Sequence, residues 1–426
     1  MSGTSTEPRL LIYSQDGLGL GHLRRTTLLA AEFLTAQPGA SVLTICDSPI
    51  GQFFSATAGH DYLKLPSIQK LSPGQWSPVS LSAPFADVLA LRTQAIRTAA
   101  LSFEPDVVLV DHMPHGAMGE LVPTLEALER TEARMVLGLR DILDAPATVR
   151  RRWHLEGAFE AVERHFDDVL VYGSRDVFDV AAQYAWPSQI RDRLRYCGYV
   201  CSPPSVPSAE SVRRLYLRGV PDGRLVVAMA GGGADGYPLF DTLLQAIPSL
   251  VVDRPCAVVI VTGPFLPDAQ RTQLEMLAGG LPVHLVPTVS DSLSFLGAAD
   301  LVVAMAGYNT TAEILSLGTR ALLVPRAGPS AEQQMRARRF AQRGWVQWVA
   351  PHALSADSLA TAMAVALDTP AAPVCVQPDL RGRQRAAQHL MGGGVEDAVN
   401  GSAKDLVMSA VAEESLDTST QLLGEG

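Results

Sequence analysis

Short apolar runs recur along this chain at 10–14, 42–46, 62–65, 107–110, 135–139, 169–172 and 196–200, then at 225–230, 257–262, 283–286, 301–304 and 321–324. Each run is continuous rather than alternating, and helix-like stretches separate them. Continuous apolar strands suit a parallel sheet covered by helices on both faces. Strand–helix alternation of this kind indicates a doubly wound α/β fold. The rhythm breaks at Cys201-Ser-Pro-Pro-Ser-Val-Pro-Ser208, where three prolines can continue neither a helix nor a central strand. The pattern therefore predicts two Rossmann-like parallel-sheet domains facing a central cleft. They span residues 1–200 and 209–370, joined by a linker at 201–208. A C-terminal segment, 371–394, follows a second proline-rich boundary and contains a basic helix from Arg381 to Met391. The remainder, 395–426, is small, polar and acidic and reads as disordered, with a weak amphipathic helix at 406–411.

Composition narrows the function classes. The 426 residues are 47% hydrophobic, enough to fill two large cores. Net charge is −10, which argues against a nucleic-acid partner. Much of that charge sits in the tail, where Glu396, Asp397, Asp405, Glu413, Glu414, Asp417 and Glu425 face one base, Lys404. The first residues carry no apolar signal core, and no stretch approaches the ~20 apolar residues that span a bilayer. The expectation is a cytoplasmic protein, with at most peripheral contact at the inner membrane face. The five cysteines are scattered and read as reduced; Cys197 and Cys201 are close, but nothing supplies the other half of a zinc site.

Three motifs follow strand-like runs. The first is Gly17-Leu-Gly19-Leu-Gly21-His22-Leu-Arg24-Arg25. Glycines at a strand-to-helix turn let the backbone approach a ligand. The loop fails as a dinucleotide fingerprint, because G-x-G-x-x-G needs glycine where His22 stands, although Asp47 follows the second run as a ribose-binding acid would. A histidine at a cleft mouth can take a proton from an acceptor hydroxyl; His22 can equally cap or pack the turn. The second motif, Gly231-Gly232-Gly233, offers N–H groups to a diphosphate, or makes a plain tight connection. The third runs from Ala306-Gly307 through Asn309, Thr310 and Thr311 to Glu313. Asn309 or Thr310 is expected to cap a helix whose N-terminus and hydroxyls suit a phosphate. Glu313, a turn further, suits a ribose diol or complements the helix dipole. Glu332-Gln333-Gln334 opens a later helix at the same rim, where amides can read sugar hydroxyls or face water.

Weaker clusters remain. Asp111-His112-Met-Pro114-His115 has no third or fourth metal ligand, so no metal is expected. Its alternatives are an acceptor pocket or plain loop structure. Arg150-Arg151-Arg152-Trp153 reads as a solvated helix face rather than a phosphate or membrane site. The stretch 71–85, with Trp76 and Phe85, is the segment expected to touch a lipid-linked acceptor.

Together these motifs, in order and at this spacing, resemble the MurG-type branch of the GT-B glycosyltransferases, family 28. The resemblance covers about residues 9–345. It is nearest to a set of family 28-like sequences sharing the first motif, Leu139-Arg140-Asp141-Ile142-Leu143-Asp144 and Tyr196-Cys-Gly198-Tyr199. It implies transfer of a hexose or N-acetylhexosamine, with inversion and without metal or cofactor, from a nucleotide diphosphate sugar (UDP favoured) to an acceptor hydroxyl. His22 matches the family's general-base histidine. Gly231, Gly232, Gly233, Gly307, Asn309, Thr310, Thr311, Glu313, Glu332, Gln333 and Gln334 fall on the donor side. Gly19, Gly21 and Arg24 form a phosphate or acceptor loop, and Asp111, His115, Arg140 and Asp141 are acceptor-side candidates. The acceptor, lipid-linked or small, is left open. Two alternatives stand: a sugar-nucleotide hydrolase or epimerase of the same fold, since a UDP-sugar hydrolase shares the Gly-His-x-x-Arg opening, and a non-catalytic sugar-nucleotide-binding protein.

Overall fold

The computed structural model describes residues 7–15, 21–48, 57–72, 75–220, 222–369 and 376–392. Gly19, Cys375 and the acidic segment 395–426, with its expected helix, lie outside the described residues.

Seven strands build the first sheet: β1 (Arg9–Ser14), β2 (Ser41–Cys46), β3 (His60–Lys64), β6 (Val107–Asp111), β7 (Arg134–Arg140), β8 (Asp168–Tyr172) and β9 (Leu194–Tyr196). Between β3 and β6 lies a separate antiparallel hairpin, β4 (Ile68–Ser72) and β5 (Gln75–Pro78). The second sheet holds β10 (Arg224–Met229), β11 (Cys256–Val261), β12 (Val283–Val286), β13 (Leu301–Ala304), β14 (Ala321–Leu323) and β15 (Gln347–Trp348). The strand orders are β3-β2-β1-β6-β7-β8-β9 and β12-β11-β10-β13-β14-β15, and every pairing within these two sheets is parallel. Two Rossmann-like lobes result.

In each lobe the chain starts at a central strand, winds to one edge, and returns to the other side of that strand. The direction reverses between β1 and β6, and again between β10 and β13. Strand ends diverge at such a switch point and open a crevice for ligands. Gly21, His22 and Asp111 stand at one switch point; Gly231–Gly233 and Ala306-Gly307 stand at the other.

Burial explains why the runs are continuous. On β1, Leu10 and Ile12 enter one core and Leu11 and Tyr13 the opposite one. On β10, Leu225 and Val227 share the first of those cores, while Val226 and Ala228 point into a third. The shared core passes between the lobes through Tyr199, Val200, Cys201 and Tyr308. Both sheets accordingly belong to one compact unit.

The expected run 196–200 stops pairing at Tyr196. Gly198 takes a left-handed φ of 85°, and the C-terminal segment claims the next backbone groups: Tyr199 N–H donates to the Asp379 carbonyl (2.7 Å), and Gly382 N–H to the Tyr199 carbonyl (3.1 Å). A Cβ on Gly382 would lie 2.4 Å from the Gly198 carbonyl oxygen, so the crossing needs glycine. The Gly382–Leu390 helix then lies against the Gly21–Ala36 helix of the first lobe, with Arg383 3.1 Å from Glu32.

The hairpin carries the segment expected to touch a lipid-linked acceptor. Trp76 and Phe85 pack against a small core of Ile68, Val88 and Ala117, leaving Leu71 and Leu81 as the exposed large apolar side chains of the segment. Among the described residues, no helix is long and apolar enough to cross a membrane.

His60, on the edge strand β3, gives the fold a pH dependence. It is buried, with Nε2 2.9 Å from Thr44 Oγ1, and burial pushes its pKa down to about 4 against a weaker opposing pull from Asp61. Between pH ~6.5 and about 4 the unfolded chain binds a proton here that the folded chain refuses, so stability falls as pH falls. The slope is at most ~1.4 kcal/mol per pH unit. We expect His60→Gln to flatten urea-unfolding stability across that window relative to wild type; parallel profiles would remove His60 from the account.

Candidate functional site

His22 is the second residue of the Gly21–Ala36 helix, beside the end of β6. Its Nδ1 lies 2.6 Å from Asp111 Oδ2. Arg25, one turn on, donates from Nη2 to the same oxygen, also at 2.6 Å. Asp111 is fully buried. Burial opposes its ionisation, but Arg25 and His22 outweigh burial and hold its carboxyl below the usual range. An ionised carboxylate only accepts hydrogen bonds, so the shared hydrogen belongs to His22 Nδ1, and Nε2 is the ring nitrogen that takes a proton. Asp111, expected on the acceptor side, thus pairs with His22. The His112 ring stacks 5.2 Å from the His22 ring and is kept neutral, first by burial and then by the positive charges of Arg140, His22 and Arg25.

The second lobe supplies the facing wall. Gly231 and Gly233 both have positive φ, and a Cβ on Gly233 would fall 2.1 Å from the Thr262 carbonyl oxygen, so only glycine fits this turn. The Tyr308–Leu317 helix starts from Gly307 with no side-chain cap. Asn309, expected to cap it, donates from Nδ2 to the Gly21 carbonyl across the cleft (2.9 Å). The hydroxyl of Thr311, expected on the donor side, is buried and donates back to the Gly307 carbonyl (2.8 Å). Glu313 is buried and held by Arg24 of the first lobe at 2.6 Å, while Arg24 also donates to Ser292 Oγ (2.9 Å). Burial raises the Glu313 pKa against the opposing pull of Arg24. Gln333 Oε1 accepts from the Arg326 N–H (3.2 Å), and Gln334 is half-buried beside it.

A third group joins the lobes. Arg336 is completely buried, with Nε and Nη2 on the two oxygens of Asp141 (3.0 and 2.6 Å), Nη2 on Glu332 (2.9 Å), and Nη1 on the Ala306 carbonyl (2.8 Å). Arg140 reaches the other Glu332 oxygen at 3.0 Å, and Asp144 Oδ1 accepts from the Ala331 N–H at 2.9 Å. Tyr308 lies between two guanidinium groups, Arg25 at 5.2–5.3 Å from the Tyr172 and Tyr308 rings and Arg336 at 5.6 Å from Tyr308. Burial alone would neutralise these charges. Asp141 and Glu332 overcome it and raise the Arg336 pKa, and Arg140 and Arg336 overcome it and lower that of Glu332. Asp141 and Glu332, expected to meet acceptor and donor, both pair with Arg336 in this clasp. Arg336 itself escaped the sequence reading. Its signal was the i,i+4 spacing from Glu332.

Comparison with known proteins bears on the second lobe. Residues 226–374 match the glycosyltransferase family 28 C-terminal domain. A UDP-N-acetylglucosamine--N-acetylmuramyl-(pentapeptide) pyrophosphoryl-undecaprenol N-acetylglucosamine transferase from Exiguobacterium sp. is 32% identical over 37% of this chain and 42% of its own length. The chain spans less than half the length of the curated relatives it matches. Acinetobacter baumannii MurG superposes with a TM-score of 0.53 at 15% identity over 90% of this chain and 95% of that one. The UDP-GlcNAc 2-epimerase of Methanocaldococcus jannaschii gives 0.57 at 11% over 90% and 100%. At these identities the structures establish the fold, GT-B.

Within the family 28 domain fall Gly231–Gly233, Gly307, Glu313 and the Gln333–Gln334 pair. Across the cleft, Arg140 and His115 line a cavity of about 130 Å³ together with Arg152, Trp153, Arg326 and Glu332. No group of three or more His, Cys, Asp or Glu side chains able to hold a metal ion occurs among the described residues.

The clasp makes a stability prediction. Arg336→Met strands buried Asp141 and leaves Glu332 with Arg140 alone, and breaking such a network typically costs ~3–5 kcal/mol. Urea unfolding should register a loss on that scale. A change below ~1 kcal/mol would mean that Asp141 and Glu332 find water or other partners.

Proposed function

We propose that this protein is a GT-B glycosyltransferase that moves a hexose or N-acetylhexosamine from a nucleotide diphosphate sugar to an acceptor hydroxyl, with inversion and without a metal. The observation that carries the reading is the His22–Asp111 pair, 2.6 Å apart, at the switch point facing a family 28 C-terminal domain. A UDP donor is favoured because the curated relatives are named as transferases acting from a UDP sugar.

In the proposed reaction, His22 Nε2 takes the proton of the acceptor hydroxyl, and the acceptor oxygen attacks the anomeric carbon. The bond from that carbon to the diphosphate breaks, and the electron pair leaves with the diphosphate. Asp111 orients the imidazole and stabilises its charged form. N–H groups of Gly231, Gly232 and the helix start at Gly307–Thr310 meet the growing negative charge, while Gly233, whose N–H donates to the Ala230 carbonyl (3.1 Å), shapes the turn. Glu313 accepts from the ribose diol once Arg24 withdraws, and Gln333 and Gln334 read the sugar. Gly21 and Arg24 line the phosphate side of the first loop. A lipid-linked acceptor would bring the protein to a membrane face; a small acceptor would not.

A second reading has one observation in its favour. Arg25 completes Gly21-His22-x-x-Arg25 by gripping Asp111, so the opening shared with a sugar-nucleotide hydrolase is a working unit here. Incubation with UDP-sugar and no acceptor separates the two: free sugar released at the transfer rate selects the hydrolase.

Thermal shift in EDTA against UDP, GDP and dTDP tests donor binding; a ligand at a hundredfold its Kd stabilises by ~2.7 kcal/mol. Failure of every nucleotide to stabilise would end the transferase reading. With a donor in hand, Glu313→Ala should weaken nucleotide affinity by ~1–3 kcal/mol, the scale of an unpaired buried hydroxyl partner. Unchanged affinity in calorimetry would leave Glu313 only its pairing with Arg24. His22→Ala should keep nucleotide affinity and lower turnover by ~10²–10⁴, the range of general-base catalysis. Turnover near wild type would move that role to another residue.

A further inference from the structure

The cavity beside His22 has an unusual balance of hydrogen-bonding groups. Residues of both lobes line it, including His112, His115, Arg140, Arg152, Trp153 and Arg326. The buried side-chain atoms of this lining that have no partner are all nitrogens: His112 Nδ1, His115 Nε2, Arg140 Nε and Arg326 Nε. The lining carboxylates, by contrast, are engaged. Glu332 is held by Arg140 and Arg336, Asp144 accepts from the N–H groups of Ala145 (2.7 Å) and Ala331 (2.9 Å), and Glu156 pairs with Arg152 at 3.5 Å. Of the unpartnered nitrogens, the Arg140 and Arg326 Nε–H groups are donors left without an acceptor, while each histidine nitrogen donates or accepts according to its tautomer; the surplus of donors rests on the two arginines.

Two of the guanidinium groups are also cheap to recruit. Arg152 and Glu156 are each nearly half exposed, and Asp235, the partner of Arg326 at 2.6 Å, is more than half exposed. Exposed pairs of this kind contribute little to stability and yield readily to a better-placed anion. The charges that keep His112 neutral, after burial, are all positive ones, from Arg140, His22, Arg25 and Arg152, so the inner end of the cavity favours an anion. A phosphate group accepts bidentate hydrogen bonds from such forks.

We propose that this cavity is an oxyanion subsite that receives a phosphoryl group of the acceptor, gripped by Arg152 and Arg326 with Arg140 and His115 behind them. The inference rests on the transferase reading for the word acceptor. The His112 ring joins the subsite to His22, with ring centroids 5.2 Å apart, so the reacting hydroxyl lies only a few bonds from the phosphoryl group. The acceptor class is then a phosphorylated sugar or polyol, free or lipid-linked. The arginine run expected to face water is exposed at Arg150, Arg151 and Arg152, and Arg152 also lines this cavity.

The test is a phosphorus NMR titration of the full chain with inorganic phosphate in the presence of saturating UDP. Phosphate should bind alongside UDP, at least tenfold more weakly in Arg152→Gln and not measurably in Arg152→Gln/Arg326→Gln, while UDP affinity in Arg152→Gln stays within twofold of wild type. Full competition between phosphate and UDP, or phosphate binding untouched in the double variant, overturns the subsite. Glycerol 3-phosphate and vesicles containing phosphatidic acid then separate the two sources. Variant-sensitive binding of the first selects a small acceptor, variant-sensitive binding of the vesicles alone selects a lipid-linked one, and failure of both overturns the proposal. If UDP does not bind but variant-sensitive phosphate binding persists, the transferase reading fails and the anion subsite stands.

Discussion

A fully buried guanidinium has to be paired, because desolvating an isolated charge costs more than a domain's whole stability margin. Arg336 meets that demand with a carboxylate from each lobe, Asp141 at the end of β7 and Glu332 on its own helix, and with the Ala306 carbonyl where β13 ends. Loss of Arg336 would leave Asp141 without this counter-charge and Glu332 with Arg140 alone. The clasp therefore fixes how the carboxyl ends of the two sheets face each other. The apolar core shared through Tyr199, Val200 and Tyr308 supplies area, but area alone sets no register between lobes. The charges do, because their geometry is directional.

The candidate base is tied into the same arrangement. Arg25 holds Asp111 with its guanidinium while that group sits against the Tyr308 ring, which Arg336 also approaches. Asp111 in turn fixes the His22 ring. A continuous set of contacts therefore runs from the lobe interface to the imidazole. Displacing Arg336 would loosen Tyr308, then Arg25, then the orientation of His22. The position of the base is a property of the interface as much as of the helix that carries it.

Much of the fold could be read from the chain, because a strand buried on both faces has to be apolar at every position. The runs at 283–286 and 301–304 coincide with β12 and β13. The hairpin β4–β5 and the short β15 were missed, since mixed, half-buried strands carry no such signal. The site divides in the same way. His22 and the glycine turns are local features of strand-to-helix connections and were legible. Asp111 with His22, Arg24 with Glu313 and Asp141 with Arg336 join residues 89, 289 and 195 positions apart, and no spacing rule reaches that far. Charged residues flagged as ligand contacts proved to be partners of one another for that reason: a sequence shows that a charge sits at a cleft, but not whether another lobe has already neutralised it.

That point bears on donor binding. Glu313 is buried, and its counter-charge is Arg24, from the opposite lobe. On the proposed reading the ribose diol needs the same carboxylate, so Arg24 and the ribose are alternatives. A hydrogen-bonding diol is a poorer match for a buried carboxylate than a guanidinium is, and by itself would not displace it. The exchange becomes favourable if the released Arg24 finds new negative charge within reach, and the donor's diphosphate brings that charge to the same cleft. A ligand shifts a conformation only by its differential affinity for the two states. Nucleoside alone offers Glu313 a diol and gives Arg24 nothing, whereas the diphosphate supplies both exchanges at once. The contact that closes the cleft without ligand would in this way favour the intact diphosphate over its nucleoside fragment.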